Sequence, residues 1–304
     1  MFSTFDQVEQ YVLQSHVKKR IALTGAHDSY SLEAVVHARR RGVATAVLLG
    51  NVEKIRALLR EMDEPEEAYD LIPCETDEES AKRAVAMVHE GRADMPMKGL
   101  LQTSTYMHAV LGKSMGLLPP GGLLSQSTLV EWPAEHRMFQ ITDCAINIAP
   151  NLDQKRKIVQ NAVNFAHNLG CECPKVAMVS AVEILNPKIQ STADAVALKK
   201  EWEEGKIRGC VVGGPLGLDN AVSRSAAAHK GVKDPAAGEA DILVMPDLCA
   251  GNIFTKSLTF FANMHSAGVL LGTTTPVIAT SRTDTPENKY RGILMSLLNA
   301  LQTK

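Results

Sequence analysis

Arg20-Ile-Ala-Leu-Thr-Gly-Ala-His-Asp-Ser29, followed after one helical interval by Thr45-Ala-Val-Leu-Leu-Gly-Asn51, is the stretch whose reading decides the fold. Each apolar run is short, ends in glycine and leads into a polar loop, as expected of a strand buried on both faces. Between the two runs residues 31–41 read as a helix, and Gly50-Asn51 opens another over 52–61. Strand, helix and strand with short connections predict a parallel sheet with helices on both faces. In such sheets ligands bind outside the carboxyl ends of the strands. The loops to watch are therefore 24–30, 50–52 and 97–105, with their later equivalents.

Outward from this unit the alternation continues. Residues 4–17 predict an amphipathic helix with Phe5, Val8, Tyr11, Val12 and Leu13 on its apolar face. An acidic surface stretch around Asp63 to Asp70 leads to a strand over 69–73, a helix over 77–90 and a strand at 95–97. Pro119-Pro120-Gly121-Gly122 is a turn or linker signal. Strands near 128–132 and 137–141 suit a hairpin around Pro133. After Pro150 helices over 153–169, 191–204 and 223–229 alternate with strands at 176–179, 209–212 and 241–245. Gly251-Asn252 is expected to open a helix to about 264, strands follow at 269–271 and 276–279, and a last helix runs over 286–301.

Composition narrows the class. A chain of 304 residues that is 45% hydrophobic suits two domains with sizeable cores. Lys and Arg total 32 against 34 Asp and Glu, so no general field favours nucleic acid or an anionic membrane. The longest unbroken apolar run is five residues, Ala84–Val88, whereas a membrane span needs about 20. The first residues lack a basic segment followed by an apolar core, so no signal peptide is expected and the cytoplasm is the expected location. The cysteines at 74, 144, 171, 173, 210 and 249 read as scattered small hydrophobes of a reduced protein. Cys171-Glu-Cys173 lacks the spacing of redox or zinc motifs, and no metal site is expected.

Several short motifs fail on context. Gly112-Lys-Ser-Met-Gly116 matches a nucleophile elbow, which needs a strand before it, yet Thr103–Leu111 reads as a helix. The same glycine, lysine and serine end like a phosphate-binding loop, but Met107 stands where its first glycine belongs. No Gly-x-Gly-x-x-Gly follows a strand.

Polar loops at expected strand ends remain. Lys98-Gly-Leu-Leu-Gln-Thr-Ser-Thr105 sets a cation and hydroxyls at a helix start, which favours an anion. Ordinary N-capping by Thr103 or Ser104 is the alternative. Gly213-Gly-Pro-Leu-Gly-Leu-Asp-Asn220 reads as a glycine-rich loop after a strand, either admitting a ligand to the backbone or merely turning tightly. Pro246-Asp-Leu-Cys-Ala-Gly-Asn252 again leads from strand to helix. In Thr280-Ser-Arg282 the serine offers a donor, and the arginine a planar fork suited to phosphate. Together these loops point to a phosphate-bearing anion without naming a reaction.

Four segments carry a resemblance: Pro174-Lys-Val-Ala-Met-Val-Ser-Ala-Val-Glu-Ile-Leu-Asn-Pro187, Gly214-Pro-Leu-Gly-Leu-Asp-Asn-Ala-Val-Ser223, Ala240-Asp-Ile-Leu-Val-Met-Pro-Asp-Leu-Cys-Ala-Gly-Asn252 and Thr280-Ser-Arg282. They occur in the order found in the phosphate acyltransferase family, and the chain most resembles its butyryl-transferring branch. The resemblance implies two α/β domains like those of isocitrate and isopropylmalate dehydrogenases, with mostly parallel sheets and an active cleft between the domains. It implies a first domain of 1–126 plus 277–304, a second of 127–276, and a homodimer or higher homo-oligomer.

The implied reaction is butanoyl-CoA plus phosphate giving butanoyl phosphate plus CoA, reversibly. Acyl-CoA, CoA, orthophosphate and acyl phosphate are the partners, with no nucleic acid, membrane, metal or redox cofactor. Acetyl or branched acyl groups are the near alternatives. A metal- and nicotinamide-dependent dehydrogenase of the same fold is a further one, but no Asp-x-x-x-Asp to hold a metal occurs. A binding-only protein is the last.

Ser281 matches the family serine that stabilises the tetrahedral intermediate, and Arg282 the arginine that holds the phosphoryl group. The acetyl branch carries an aspartate seven positions after that serine as base for the CoA thiol; here Asn288 stands there. Asp284 is the substitute candidate, with capping of the last helix as its alternative. Lys98, Thr103, Ser104, Gly214, Asn220, Gly251, Asn252 and Lys256 are the expected substrate-binding residues. Direct transfer in a ternary complex is expected. The competing acyl-cysteine route would use Cys249, whose other reading is a small buried residue.

Overall fold

The computed structural model describes residues 1–112 and 115–302. Lys113 and Ser114, the centre of the elbow-like motif, lie outside the described residues. The chain divides into two compact units: Phe5–Gly122 with Ala267–Lys304, and Met1–Thr4 with Leu123–Ser266. The expected boundaries were 126/127 and 276/277; this division falls at 122/123 and 266/267.

The unit containing the amino-terminal half holds β1 (Lys19–Thr24), β2 (Ala44–Gly50), β3 (Asp70–Pro73) and β4 (Met95–Lys98). They form a parallel sheet of order β3-β2-β1-β4. Its helices are α1 (Phe5–Gln14), α2 (Ser29–Arg40), α3 (Val52–Glu61), α4 (Asp77–His89), α5 (Thr103–Val110) and α11 (Pro286–Gln302). Polar side chains start them as the sequence suggests: Asp28 accepts from Ser31 N, Asn51 from Lys54 N and Thr76 from Glu79 N. Ala22, Val47 and Leu49 pack on one face with Ala84 and Met87 of α4.

The expected strand at 276–279 is a single bridge. Ile278 pairs in parallel with Met97, Ile278 N donates to Pro96 O at 2.9 Å, and Lys98 N donates to Ile278 O at 2.8 Å. Pro276 lacks the N–H that would extend the ladder. The short pairing still brings the chain alongside β4 just before Thr280.

The other unit is built on β5 (Ser125–Trp132), β6 (Arg137–Thr142), β7 (Lys175–Val179), β8 (Val211–Leu216) and β9 (Ile242–Val244). The sheet order is β10-β5-β6-β9-β7-β8, where β10 (Ser266–Leu271) contains the point of division between the units. β5 and β6 are antiparallel around the Pro133–Glu135 turn of 3-10 helix, whereas β6, β9, β7 and β8 run parallel. Alternation sorts the core. Val176, Met178, Ile242 and Val244 face α6 (Leu152–Asn168) and α7 (Gln190–Glu203). Ala177, Val179, Leu243 and Met245 face the layer of α8 (Leu218–Val222) and α10 (Leu248–Phe260). Successive strand residues point to opposite faces, so one strand serves two cores.

Three local expectations are corrected here. The run 213–216, read as loop, continues β8. The helix expected over 223–229 is α9 (Arg224–His229), capped by the extended Ser223 through Ala226 N, but a further short helix, α8, precedes it over residues read as loop. The helix expected to open at Gly251 begins at Leu248, since the Asp247 side chain accepts from Ala250 N.

Buried thiols give this fold a definite response to alkali. Burial, then the nearby Cys173, pushes Cys210 up to about 12, and burial, then Asp241, pushes Cys171 up to about 11. Burial, then Asp143, raises Cys144 further. An unfolded thiol ionises near about 8.5. Stability from these groups is therefore fully present below that pH and is lost as pH climbs toward the folded values. Lys98 and Lys289, whose pKa values are lowered by burial, act in the opposite sense below about 10.5. We expect the urea midpoint to fall between about pH 8.5 and 10.5, and Cys210→Ala to flatten that slope by nearly one proton. An unaltered slope in the variant would show that Cys210 does not titrate this way.

Candidate active site

The sheet order β3-β2-β1-β4 reverses direction between β1 and β4, the place where open α/β sheets take ligands at their carboxyl ends. Two close contacts shape the loops there. A Cβ on Gly99 would lie 2.2 Å from Thr24 O, and one on Gly25, whose φ is +52°, would lie 2.8 Å from Leu100 O. Only glycine permits this crossing, which is sealed by Leu100 N donating to Gly25 O at 3.1 Å. A cavity of about 440 Å³ opens over the ends of β1, β2 and β3, lined in part by His27, Asn51, Lys54, Thr76 and Ser80.

Lys98 ends β4 and is 2% exposed. Its Nζ reaches only Gly99 O, at 3.4 Å, and it makes no ion pair among the described residues. Burial holds its pKa below the ordinary lysine value, and Lys289 and Arg282 push the same way against Asp28 and Asp77. Thr103 and Ser104 are exposed in the first turn of α5. Neither is its cap: Gln102 occupies that position and no side chain accepts there. The N–H groups of that turn are thus left without side-chain partners, the arrangement that suits an anion.

The bridge at Ile278 delivers Thr280, Ser281 and Arg282 beside β4. Asp284 Oδ2 accepts from Ser281 N at 2.8 Å, and Asp284 N donates to Ser281 O at 3.2 Å. Ser281 Oγ lies 3.0 Å from Thr283 Oγ1. The capping alternative for Asp284 fails, because Thr285 Oγ1 accepts from Asn288 N. Asn288 itself accepts from Arg291 through Oδ1 at 2.8 Å. Arg282 is exposed and makes no hydrogen bond or ion pair among the described residues. Lys289 of α11 is 3% exposed and donates to Ser281 O at 2.8 Å and Thr280 Oγ1 at 3.1 Å. Sequence reasoning missed it. The available signal was a lysine on the stripe that continues through Ile293 and Leu297, both buried.

The remaining candidates belong to the other unit. Gly214 lies inside β8 with φ +125°, and a Cβ there would stand 2.8 Å from Met178 O. Gly251 is buried in α10, where a Cβ would stand 2.6 Å from Asp143 O. In both places the backbone approached closely is the chain's own. Asn252 Nδ2 donates to Cys144 O at 3.3 Å. Lys256 is exposed on α10, and Cys249, one reading of which was a small buried residue, is exposed as well. Asn220 is fully buried: its Nδ2 donates to Glu183, which also accepts from Lys230, and its Oδ1 has no partner among the described residues.

Two α/β units, with cations and an uncapped helix start at parallel strand ends, define a protein that handles a phosphate-bearing anion. A family model described as "Phosphate acetyl/butaryl transferase" matches residues 74–297. Phosphate butyryltransferase of Clostridium acetobutylicum is 40% identical over 300 residues, covering 99% of each chain. The solved branched-chain phosphotransacylase from Enterococcus faecalis V583 superposes with TM-score 0.83 at 32% identity, covering 93% of this chain and 99% of that one. A 4-hydroxythreonine-4-phosphate dehydrogenase from Klebsiella pneumoniae, at TM-score 0.52 and 13% identity over 92% of this chain and 99% of its own, shares the fold alone. The chain belongs to the phosphate acetyl/butyryl transferase family.

Proposed function

We propose that the protein transfers a short acyl group reversibly between CoA and orthophosphate, with butanoyl as the preferred group, and that Ser281 and Arg282 carry the chemistry. The observation that carries this reading is the buried Lys98 beside Arg282, without an ion pair among the described residues and in the same unit as the uncapped start of α5. A buried cation without an ion-pair partner is costly, and a bound phosphate dianion supplies one. Family membership supports the reaction class, and the butyryl relative supports the acyl group.

Arg282 orients phosphate through two parallel hydrogen bonds. A phosphate oxygen attacks the thioester carbon, forming a C–O bond and a tetrahedral oxyanion toward which Ser281 Oγ donates. The C–S bond then breaks, its electron pair stays on sulfur, and a proton converts the thiolate to CoA thiol. In reverse only a few per cent of a free thiol is ionised at pH 7, so the proton needs an acceptor or nearby positive charge. Asp284 is the assigned acceptor, with Oδ2 anchored on Ser281 N. Thr103 and Ser104 bind phosphate at the start of α5. In the other unit Asn220, Asn252 and Lys256 are assigned to substrate binding, whereas Gly214 and Gly251 serve packing against the chain's own backbone. Holding both reactants lowers the entropic barrier, and a balanced group transfer has no redox step. The rate should therefore be insensitive to chelators.

Release of thiol from acetyl-, butyryl- and branched acyl-CoA, with and without phosphate, tests the function. Phosphate-dependent release fastest with butyryl-CoA is expected; intact butyryl-CoA with a well-folded protein overturns it. Intersecting initial-velocity lines support the ternary complex, whereas parallel lines and a trapped acyl-enzyme at Cys249 would replace it. We also assign the protein to the reducing cytoplasm, which suits its free cysteines. No helix among the described residues is long and apolar enough to cross a membrane. A homodimer is proposed because α10 buries only Gly251 and exposes Ile253, Phe260 and, nearby, Phe261 at 67%, 69% and 88%.

A further inference from the structure

Lys289 is placed where burial and the helix dipole oppose its charge. It is buried, and it stands in the first turn of α11, where the helix dipole disfavours a cation. Its hydrogen-bond partners are the neutral oxygens Thr280 Oγ1 and Ser281 O, and it makes no ion pair among the described residues. The charged groups that act on it or with it are Lys98 at the end of β4, Asp28 at the start of α2 and Asp284 in the turn. Burial lowers its pKa, and Asp284 and Asp28 only partly offset this. A lysine serving stability alone would be better replaced by an apolar side chain of similar length.

We propose that Lys289 is a positioning residue for phosphate: its ammonium holds Thr280 and Ser281 so that Ser281 and Arg282 face the anion, and the bound anion completes the neutralisation of its charge. The inference rests on the acyl-transfer reading and adds to it a residue from the last helix. It complements Asp284, the assigned proton acceptor: the Lys289 cation beside the Ser281 turn favours bound phosphate and a thiolate leaving group.

The test compares wild type with Lys289→Met and Lys289→Gln in phosphate-dependent release of thiol from butyryl-CoA, and in thermal melts with and without inorganic phosphate. Both variants should raise KM for phosphate at least about 10-fold and leave KM for butyryl-CoA within about 2-fold. Lys289→Met should melt no lower than wild type without phosphate and should lose the rise in Tm that phosphate gives wild type. A normal phosphate KM, or both KM values rising together, overturns the inference. Failure of both variants to fold overturns it too, because the role is then structural. If wild type itself shows no phosphate-dependent release, the acyl-transfer reading fails first; an active wild type with unaltered variants overturns the role of Lys289 alone.

Discussion

Arg282→Lys is expected to lose about 100-fold in phosphate-dependent kcat/KM while keeping its positive charge. The guanidinium offers a planar fork that meets two phosphate oxygens at once; an ammonium is a point charge without that geometry. Arg282→Ala, which removes charge and fork together, is expected to lose about 1000-fold. Stability should be untouched, since the side chain is exposed and without partners among the described residues. Matching urea midpoints would therefore assign the loss to chemistry. Unchanged kinetics in Arg282→Lys would remove this residue from the site.

Asp143→Ala is expected to cost about 3–5 kcal/mol and to lower Tm on the order of 10 °C. The Asp143 carboxylate is 4% exposed and collects four donors. Oδ1 accepts from Ala145 N and Ile146 N, both at 2.9 Å. Oδ2 accepts from Gln126 N at 3.1 Å and Asn147 Nδ2 at 2.6 Å. Truncation leaves those donors unpaired in the interior, which costs more than the bonds contribute. The segment also seats α10, because Asn252 bonds to Cys144 O and Gly251 packs on Asp143 O. Asp143→Asn should fall between, since its NH2 would face two donors. A wild-type denaturation midpoint for Asp143→Ala would show that this carboxylate does not hold the segment together.

Much of the architecture was legible because it is written in short-range pattern. The helix over 52–61 was read to its ends from Gly50-Asn51, and Asn51 does cap it. The hairpin around Pro133 was legible for the same reason. The run 213–216 was misread because its glycines signal a loop. In the structure they let β8 lie against Met178 and Asp234, partners remote in sequence. The opening of α10 was misplaced because Gly251 looks like a helix start, whereas its lack of a side chain serves packing against Asp143.

Loops with the chemistry of an anion site could be picked out one at a time, as Lys98 and Ser281-Arg282 were. Nothing local revealed that Thr103 and Ser104 would leave the start of α5 uncapped. Nor did anything local show that Lys289 would lie under Ser281.

The linear chain by itself determined the alternation of strands and helices, the parallel sheets and the residue types able to meet a phosphate, because periodicity and turn chemistry act within a few residues. Tertiary structure alone decided that a bridge at Ile278 carries Ser281 and Arg282 to the end of β4, with Lys289 buried beneath. Burial and the field of neighbouring charges depend on segments far apart in the chain, and they exist only once it has folded.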